Sequence, residues 1–519
     1  AYDAAGRLTS LTDGAGNAIV AYTYDTAGRL TREQNGNGTS TTYSYDAVGQ
    51  LTSIVNLATD GAINSRFDYT YDELGRQIRT NTLDGNWTYT YDDIGQLTRA
   101  VFASTNPEIS NQDLTYVYDA AGNRIRTIEN GVTTNYRTNN LNQYTNAGEF
   151  SYTYDTDGNL IAKVRGNETW TYGYNSENQL VRVVEPDGTI TEYEYDAFGD
   201  RIATIDNGQR TEYLVDPFGF GDVVGEYDGN GNLIARYTHG LGLVSRADSS
   251  NTNYYDANFL GSIVGLTGAS GTYLNRYTYR PFGEEISETE TVANPFEFVG
   301  QYGVMEEGNG LDFMRARFYD GKDGRFTSTD PIGVAGGDTN LYQYVGNAAN
   351  QYIDAEGNLP ILPLIPAVAG ALGRFVLANG AFGLLNAATG FAKASYCNED
   401  YGWRDALGDF ISGTLDRGIS QGIGRQLPNP TGLEAAGTGA VSGGISDTIG
   451  DLIKGKDSSF GEFLVSRGID VVFGFLSTRP KFGKLPDIVQ DGLKNLTKAV
   501  VQGCDDKKPQ SPTPNIPTR

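Results

Sequence analysis

Histidine and cysteine are almost absent from this sequence. One histidine and two cysteines occur among its 519 residues. The cysteines, Cys397 and Cys504, have no metal-ligand spacing, which excludes a disulfide framework and a cysteine-based zinc site. A Ser-His-Asp triad, a histidine-dependent nuclease or a zinc protease would have to use His239. That residue precedes Gly240 in a connection between repeats, so we predict that it lies on the surface or in a turn.

Lysine is scarce in the first two thirds of the chain, which are strongly acidic. Residues 1–359 carry 23 Lys plus Arg against 49 Asp plus Glu and contain only two lysines, Lys163 and Lys322. Residues 360–519 carry 16 basic against 15 acidic residues. This break predicts a domain boundary near Leu359. The negative charge argues against nucleic acid as a partner of the first region and favours containment of a neutral or cationic cargo.

Tyrosine is concentrated in this acidic region, where a short motif repeats. Residues 1–359 hold 32 of the 34 tyrosines. The motif Tyr-x-Tyr-Asp-x-x-Gly recurs roughly every twenty to twenty-seven residues, a period that implies stacked units too small to fold alone. Its copies begin at Tyr22, Tyr43, Tyr69, Tyr89, Tyr116, Tyr152 and Tyr193, with a degenerate copy at Tyr172.

Each repeat has the pattern of one β-hairpin. The two tyrosines are two residues apart and therefore share one face of a strand. Asp-x-x-Gly fits a turn in which Asp25 accepts backbone hydrogen bonds and Gly28 takes a positive φ, and the later copies follow suit. The strand then resumes with alternating polar and apolar residues, which is typical of a sheet with one solvated face.

The aspartates of these turns do not predict a metal site. Calcium requires six to eight oxygens that converge on one point, whereas one turn offers one or two. Glycine-rich segments such as GNGNLI do not open a helix and therefore are not phosphate loops. We expect no metal and no cofactor.

Residues 359–519 have the pattern of a mostly α-helical region. Phe375–Ala392 is an uncharged run of eighteen residues, which barely reaches the length that spans a membrane. It predicts a buried or shell-docked helical hairpin, with a membrane-inserting element as the alternative. Apolar residues every four positions from Ile411 to Leu427 predict a further helix, and residues 505–519 read as a disordered tail.

The order of motifs resembles the Rhs, or YD-repeat, proteins and their repeat-associated core domain. The resemblance rests on the tyrosine repeats, on the block Tyr254–Glu284, and on NPFEFVGQYGVMEEGNGLDFMRARFYD followed by DPIG. It covers about residues 1–358. The family includes bacterial polymorphic toxins, the C component of insecticidal toxin complexes and the animal teneurins.

The resemblance implies a mainly β fold in which an antiparallel sheet spirals into a hollow shell. We divide the chain into repeats at 1–280, a core domain at 281–358 that closes the shell, and a variable C-terminal region at 359–519. Residues 1–358 are expected to form one continuous curved sheet with a tyrosine-lined interior. Because the chain opens at Ala1 inside a repeat, we expect a C-terminal piece of a longer protein, with N-terminal shell and plug segments missing.

The resemblance also implies an aspartyl autoprotease. Family members carry two Asp-Pro-x-Gly-Leu motifs, and the first matches here at Asp330. The second departs from the pattern, because Asp354 is followed by Ala355 instead of proline and the motif ends in Asn358 instead of leucine. The implied scissile bond is Asn358–Leu359. Two adjacent carboxylates share a proton and can act as acid and base.

We consider Arg325 a candidate to orient the two aspartates. The alternative is that Asp330 and Asp354 only end strands in Asx-turns.

Three functions from different classes follow. The first is a toxin-delivery shell that encloses its own C-terminal domain as cargo and cuts it free. The second is an uncleaved cell-surface or adhesion protein with a structural plug, and the third is a pore-forming toxin whose tail targets membranes. An immunity protein or a secretion apparatus is an expected partner. We expect a secreted or cell-surface bacterial protein.

Overall fold

Antiparallel strands account for nearly all regular structure in this computed structural model, which describes residues 1–216, 221–336, 338–358 and 360. Strands β1 to β27 form one 27-stranded sheet in which each strand pairs with its neighbours in the chain. Four short strands, β28 to β31, form a second sheet. No α-helix occurs in the described residues, and three short 3₁₀ helices lie at Gly300–Tyr302, Gly333–Gly336 and Val345–Asn347.

The bounds of the strands are β1 Ser10–Thr12, β2 Ala18–Tyr24, β3 Leu30–Asn35, β4 Ser40–Tyr45, β5 Leu51–Leu57, β6 Ile63–Tyr71, β7 Gln77–Thr82, β8 Gly85–Tyr91, β9 Leu97–Ser104, β10 Gln112–Tyr118, β11 Arg124–Glu129, β12 Val132–Thr138, β13 Tyr144–Ala147, β14 Phe150–Tyr154, β15 Leu160–Arg165, β16 Glu168–Tyr174, β17 Leu180–Val184, β18 Ile190–Tyr195, β19 Arg201–Asp206, β20 Gln209–Val215, β21 Val223–Asp228, β22 Leu233–His239, β23 Leu243–Ala247, β24 Thr252–Ala257, β25 Ile263–Thr267, β26 Tyr273–Tyr279, β27 Glu285–Thr289, β28 Met305–Glu306, β29 Asp312–Met314, β30 Arg317–Asp320 and β31 Arg325–Phe326.

The Asp-x-x-Gly turns that follow the Tyr-x-Tyr pairs lie along one edge of the sheet, because each joins an even-numbered strand to the next odd-numbered one. Two further turns of this type, Asp13–Gly16 and Asp228–Gly231, join odd-numbered to even-numbered strands. In the turn after β2, Asp25 Oδ1 accepts the backbone N–H of Arg29 at 2.9 Å and Gly28 has φ 86°. Where glycine is missing, Asn142 and Asn178 take the same left-handed position at φ 61°. Asparagine tolerates this region better than other residues with a side chain.

The two tyrosines of each motif have different roles. The first is buried in most copies, as at Tyr22 and Tyr69, where the residues are 5% and 7% exposed. In most copies the second donates its hydroxyl to a backbone carbonyl oxygen of the preceding repeat, whereas Tyr174 bonds Thr327 Oγ1. Tyr24 binds Leu8 O at 2.6 Å, Tyr45 binds Leu30 O at 2.7 Å, and Tyr71 binds Leu51 O at 2.6 Å. The predicted tyrosine-lined face is present. The second tyrosines of the motif also link successive hairpins through their hydroxyls.

Arginines after the turn glycine strengthen the same link. Arg29 pairs with the turn aspartate Asp25 at 2.7 Å, and its guanidinium stacks 4.6 Å from the ring centre of Tyr45 in the next repeat. Arg76 repeats both contacts, with Asp72 and with Tyr91. In these repeats the turn aspartate, the arginine and the second tyrosine of the next repeat are therefore linked, whereas Gln50 and Gln96 replace the arginine elsewhere.

The sheet curves strongly, and its pairing shows why. A register shift precedes the second tyrosine of the motif, between Thr23 and Tyr24 in β2 and between Ser44 and Tyr45 in β4. Later repeats carry the same irregularity, and bulges of this kind increase the local twist and bend a strand. The repetition of one bulge per hairpin accounts for the cumulative curvature.

This curvature brings the early strands against the late ones. The backbone N–H of Leu241 donates to Tyr22 Oη at 3.2 Å, and the N–H of Phe259 donates to Tyr69 Oη at 3.1 Å. At the opposite edge, Asn37 Nδ2 donates to Gly268 O at 2.9 Å. The sheet therefore curls on itself, and the predicted mainly β fold with a curved antiparallel YD-repeat sheet is confirmed.

The segment after the sheet differs from the sequence-based expectation. The large sheet ends at Thr289 of β27, so residues 290–358 do not continue it as predicted. These residues lack the alternating tyrosine pattern, and Pro295 and Pro331 interrupt strand pairing. They pack instead around buried aromatic side chains such as Phe298, Tyr319 and Tyr344.

This segment is seated on the edge that carries the Asp-x-x-Gly turns. Tyr342 Oη donates to Gly158 O at 2.7 Å, and Asn347 Nδ2 donates to Gly122 O at 2.8 Å. The division at residue 280 remains a prediction. The predicted helical region at 359–519, with its membrane-inserting alternative, lies outside the described residues except for Pro360. Within the described part of the chain, no helix has the length and apolar character needed to cross a membrane.

We predict that the tyrosine hydroxyls stabilise the sheet individually. Tyr71→Phe removes the hydrogen bond to Leu51 O and leaves that carbonyl without its partner, so it should lower the free energy of unfolding by about 1 kcal/mol. Urea unfolding followed by tyrosine fluorescence measures this. Tyr352→Phe, at a side chain that is 37% exposed, is the control and should change little. Equal effects of the two variants would contradict the role of the hydroxyl.

A second prediction concerns two carboxyl groups enclosed where the sheet curls on itself. Burial and the nearby Asp256 raise the pKa of Glu33 to about 8, and burial raises the pKa of Asp256 to about 7. A carboxyl group with a raised folded-state pKa contributes most below its unfolded pKa. Its contribution is lost as pH rises towards the folded pKa.

The stability of the protein should therefore fall between about pH 4 and about pH 8, by on the order of 1 kcal/mol per pH unit for each group. The variant with Glu33→Gln and Asp256→Asn should lose this part of the slope in urea unfolding measured across that range. A control with the exposed pair Glu73→Gln and Asp93→Asn should keep it. A slope unchanged by the first variant would refute the assignment.

Candidate autoproteolytic site

The two predicted aspartates meet at one side chain of residues 290–358, the core segment, and that side chain is Arg317. Arg317 opens β30, Asp330 follows β31, and Asp354 follows the buried Ile353. Arg317 Nη2 donates to Asp330 Oδ2 at 3.2 Å and to Asp354 Oδ2 at 3.3 Å. The structure therefore brings together the residues that the motif resemblance pairs.

Asp330 is held by backbone contacts as well as by the guanidinium. Its N–H donates to Leu341 O at 2.9 Å, and its Oδ1 accepts the N–H of Ile332 at 2.9 Å. Burial raises the pKa of Asp330 to about 6, and the positive charge of Arg317 opposes that rise. Asp330 can therefore carry a proton in weakly acidic to neutral solution.

Asp354 is buried and contacts the predicted cleavage segment directly. The residue is 2% exposed, and its Oδ1 accepts the backbone N–H of Asn358 at 2.8 Å. This is an Asx-type contact, as the alternative reading of the sequence expects, and it coexists with the bond to Arg317. One oxygen of Asp354 thus binds the arginine, and the other binds the residue on the N-terminal side of the predicted scissile bond.

Arg317 organises the site, and the sequence analysis missed it. The residue is 3% exposed and its guanidinium stacks 3.5 Å from the ring centre of Phe326. Nε donates to Gly357 O at 2.5 Å and Nη1 donates to Leu341 O at 2.9 Å. The signal in the sequence was the MRARF segment of the core motif, but nothing local to it points at either aspartate.

The prediction that Arg325 orients the aspartates is wrong. Arg325 Nη2 donates to Asn142 O at 2.6 Å, and its guanidinium lies 3.9 Å from the ring centre of Tyr144. Its Nε and Nη1 have no hydrogen-bond partner among the described residues. The backbone of Arg325 pairs with Asp320 on one side and with Gln343 on the other. In this position its side chain reaches the turn edge of the repeats, at Asn142.

The path of residues 354–358 is fixed by close backbone contacts. Gly357 has φ 67°, and a Cβ atom there would lie 2.5 Å from Met314 O, so only glycine fits. The N–H of Ala316 donates to Glu356 O at 3.2 Å, and Arg315 Nη1 donates to Ala355 O at 3.0 Å. The Oδ1 atom of Asn358 is buried without a hydrogen-bond partner among the described residues, and Leu359 lies outside them.

This arrangement offers the components of acid–base chemistry on a peptide. Asp330 supplies a carboxyl group with a raised pKa, and Asp354 supplies a second carboxyl group beside the backbone of Asn358. Arg317 fixes their relative position and polarises the carbonyl of Gly357. The guanidinium placed between the carboxylates opposes the rise in the pKa of Asp330, which distinguishes the site from a pair of aspartates that share one proton directly.

Two other places in the described residues hold residue types that catalytic or metal-binding sites use. His239 ends β22, with Nε2 2.9 Å from Val223 O, so it is a half-buried strand residue and not a surface turn. Carboxylate oxygens of Glu288, Glu290 and Glu297 lie within 4.8 Å of one another. Burial and the neighbouring Glu285 raise the pKa of Glu297 to about 11, which weakens it as a cation ligand.

We predict that the loss of Arg317 is costly. Arg317→Met removes the counterion of two buried carboxylates and should lower the free energy of unfolding by about 3–5 kcal/mol. Arg99→Met is a matched control, because its partner Asp113 is half exposed and exposed pairs contribute less than about 1 kcal/mol. Urea unfolding of both variants makes the comparison, and equal losses would count against the central role of Arg317.

The comparison with known proteins agrees with the repeats and the curved sheet. A family described as Teneurin YD-shell matches residues 69–349, and the RHS Repeat family matches residues 2–40 and 24–63. The tRNA nuclease WapA of Bacillus subtilis is 27% identical over 258 residues, which cover 47% of this chain and 11% of that protein. The probable deoxyribonuclease RhsB of Dickeya dadantii is 31% identical over 192 residues, which cover 34% and 13%.

Solved structures show the same fold at lower sequence identity. The complex TcdB2-TccC3-Cdc42 matches with a TM-score of 0.59 at 20% identity over 69% of this chain and 20% of that chain. A Tc holotoxin pore of Photorhabdus luminescens matches with a TM-score of 0.57 at 20% identity over 70% and 21%. The chain thus spans 11–13% of the length of these curated relatives. The family match covers more than half of the residues, and the chain belongs to the Teneurin YD-shell family, with RHS repeats at its start.

Proposed function

We propose that this chain is part of a toxin shell whose core segment cuts the polypeptide at Asn358–Leu359 and so frees residues 359–519 as cargo. The observation that carries the proposal is the common attachment of Asp330 and Asp354 to Arg317, beside the backbone of Asn358. The curled sheet with its buried tyrosines supports the role of a wall. Relatives named as a tRNA nuclease, a probable deoxyribonuclease and a toxin protein support a toxin context.

The proposed reaction is hydrolysis of one peptide bond. A water molecule adds to the carbonyl carbon of Asn358, and Asp354 accepts the proton that the water loses. Asp330 donates a proton to the departing nitrogen of Leu359 from its protonated form, which its raised pKa of about 6 makes accessible in weakly acidic solution. Arg317 keeps both carboxyl groups and the carbonyl of Gly357 in place. The products are a carboxylate at Asn358 and an amine at Leu359.

Similarity between shells does not identify the target of the cargo. WapA and RhsB are named for different nucleic acids although both are similar to this chain. We propose an exported toxin of the bacterial surface or exterior, with an immunity protein as a partner in the producing cell. The near-neutral charge of residues 359–519 favours a membrane target over nucleic acid.

An uncleaved shell is the second candidate, and two observations favour it. Ala355 and Asn358 replace the proline and leucine of the family motif. In addition, the charge of Arg317 between the carboxylates stabilises a purely structural ion-pair arrangement, which needs no reaction. In that case residues 359–519 remain attached as a plug.

We predict that the expressed protein separates into two fragments, 1–358 and 359–519, visible by intact mass after denaturation. Asp330→Asn and Asp354→Asn should each leave a single chain, because each removes one half of the acid–base pair while it keeps the size of the side chain. Asp93→Asn, at an exposed turn position, is the control and should cleave like the unchanged protein.

Wild-type protein that stays intact after long incubation would reject the cleavage and favour the uncleaved shell. A cut elsewhere would reject the assigned bond. Cleavage that persists in both aspartate variants would reject these residues as the catalytic pair while leaving the shell role open.

A further inference from the structure

Lys163 is a buried amine that the proposed cleavage does not use. It lies in β15 on the inner face of the repeats and is 8% exposed. It is one of only two lysines in residues 1–359. Its Nζ atom lies 2.8 Å from Asp320 Oδ2 and 3.1 Å from Asp323 Oδ2, and both aspartates belong to the core segment. A lysine is therefore in contact with two carboxyl groups more than 150 residues away in the chain.

Lys163, Asp320 and Asp323 form a buried triad that aromatic rings and hydrogen bonds surround. Nζ lies 5.0 Å from the ring centre of Phe150 and 5.6 Å from that of Tyr152. Asp320 and Asp323 are 8% and 7% exposed. The hydroxyl of Tyr152 donates to Asp323 Oδ2 at 2.8 Å, and the N–H of Asp323 donates to Asp320 Oδ1 at 2.9 Å.

The two aspartates differ in a way that suits different chemical roles. Burial raises the pKa of Asp320, which favours a protonated carboxyl group with a good leaving oxygen. Burial acts in the same direction on Asp323, but the charge of Lys163 and the Tyr152 hydroxyl bring the pKa of Asp323 below its ordinary value. Asp320 is thus the better electrophile, and Asp323 is the carboxylate that stays ionised and free to accept a proton.

We propose that Lys163 and Asp320 form a spontaneous intramolecular isopeptide bond, with Asp323 as the base that carries the proton. A desolvated lysine amine is a competent nucleophile, and the triad places it next to a carboxyl group with no water between them. The bond joins a strand of the repeats covalently to the core segment.

The atoms and charges of the reaction balance without a co-reactant. Lys163 passes one proton to Asp320 across their hydrogen bond, which leaves an amine and a carboxylic acid. Nζ then attacks Cγ of Asp320, and the charge that develops on Oδ1 is stabilised by the N–H of Asp323. Asp323 removes a proton from Nζ and delivers it to Oδ2, which departs as water. The triad begins and ends with one net negative charge, and one amide and one water are formed.

The ammonium form of the lysine opposes the first step. Burial disfavours the ammonium, but the two aspartates outweigh it and raise the pKa of Lys163. The amine is consequently a minor species. A single event per molecule is enough, however, because the amide that forms lies between buried residues, where hydrolysis is slow. The bond also removes a buried ion pair, whose desolvation is costly.

Peptide mass mapping of the full chain tests the proposal, and autoproteolysis does not affect it because both residues precede Asn358. After trypsin, the bond joins residues 138–165, with cleavage blocked at Lys163, to residues 318–322. This branched peptide should weigh about 18 Da less than its two parts together, the mass of one water lost on amide formation. A branch to residues 323–325 instead would assign the bond to Asp323 and overturn the role of Asp320.

Two variants separate the reaction from an ordinary ion pair. Lys163→Arg keeps the positive charge but cannot form the amide, so the branched peptide should vanish while urea unfolding still shows a folded protein. Asp323→Asn keeps the size of the base and should slow formation of the branch by roughly 10²-fold or more in a time course after synthesis. Wild-type protein that yields only linear peptides at residues 138–163 and 318–322 would overturn the proposal and leave a buried ion pair.

Discussion

The hydrogen bond from the second tyrosine of most repeats to a carbonyl of the preceding repeat is the interaction on which the other features depend. A hairpin of about twenty residues cannot bury enough surface to be stable alone, so each unit must be tied to its neighbour. Tyr45 and Tyr71 make that tie through their hydroxyls, and the ring of Tyr45 also stacks with Arg29 of the preceding turn. Because the bond joins corresponding atoms in successive repeats, it fixes the stagger between hairpins, and the bulge before the tyrosine then bends each unit by a similar amount.

The regular curvature of the sheet creates the surface on which the core segment is seated. The edge that carries the Asp-x-x-Gly turns becomes a row of backbone carbonyls at repeated spacing, and residues 325–347 bind to that row. Tyr342 reaches Gly158 O, Asn347 reaches Gly122 O and Arg325 reaches Asn142 O. The turn geometry that closes each hairpin thus also provides the surface on which the core is seated. Arg325 is committed to this seating, which leaves Arg317 to hold Asp330 and Asp354.

Much of the fold could be predicted from the sequence, because hairpin, turn and tyrosine face are encoded within a single repeat. Alternation around Tyr22 predicts a strand, and Asp25 with Gly28 predicts the turn. The remote contacts could not be predicted in this way. Arg317 is 13 residues from Asp330 and 37 from Asp354, and Arg325 looked equivalent because both arginines precede DPIG. Only the packing direction of their strands distinguishes them. The end of the sheet at Thr289 was missed for a related reason, since the resemblance extends through residue 358 whereas the strand pattern does not.

The two departures from the second family motif, Ala355 for proline and Asn358 for leucine, differ in their structural effect. Proline at position 355 would restrict the chain before the turn, and its absence suggests a looser segment. Here other contacts supply the restraint, because Arg315 binds Ala355 O, Asp354 binds the N–H of Asn358, and Gly357 fits against Met314 O where no side chain could. Ala355 is itself buried among the aromatic side chains of the core. The geometry of residues 354–358 therefore does not depend on proline. The replacement of leucine by Asn358 is the more consequential change, because it places an amide whose buried Oδ1 has no hydrogen-bond partner in the described part of the chain at the bond that the proposed reaction cuts.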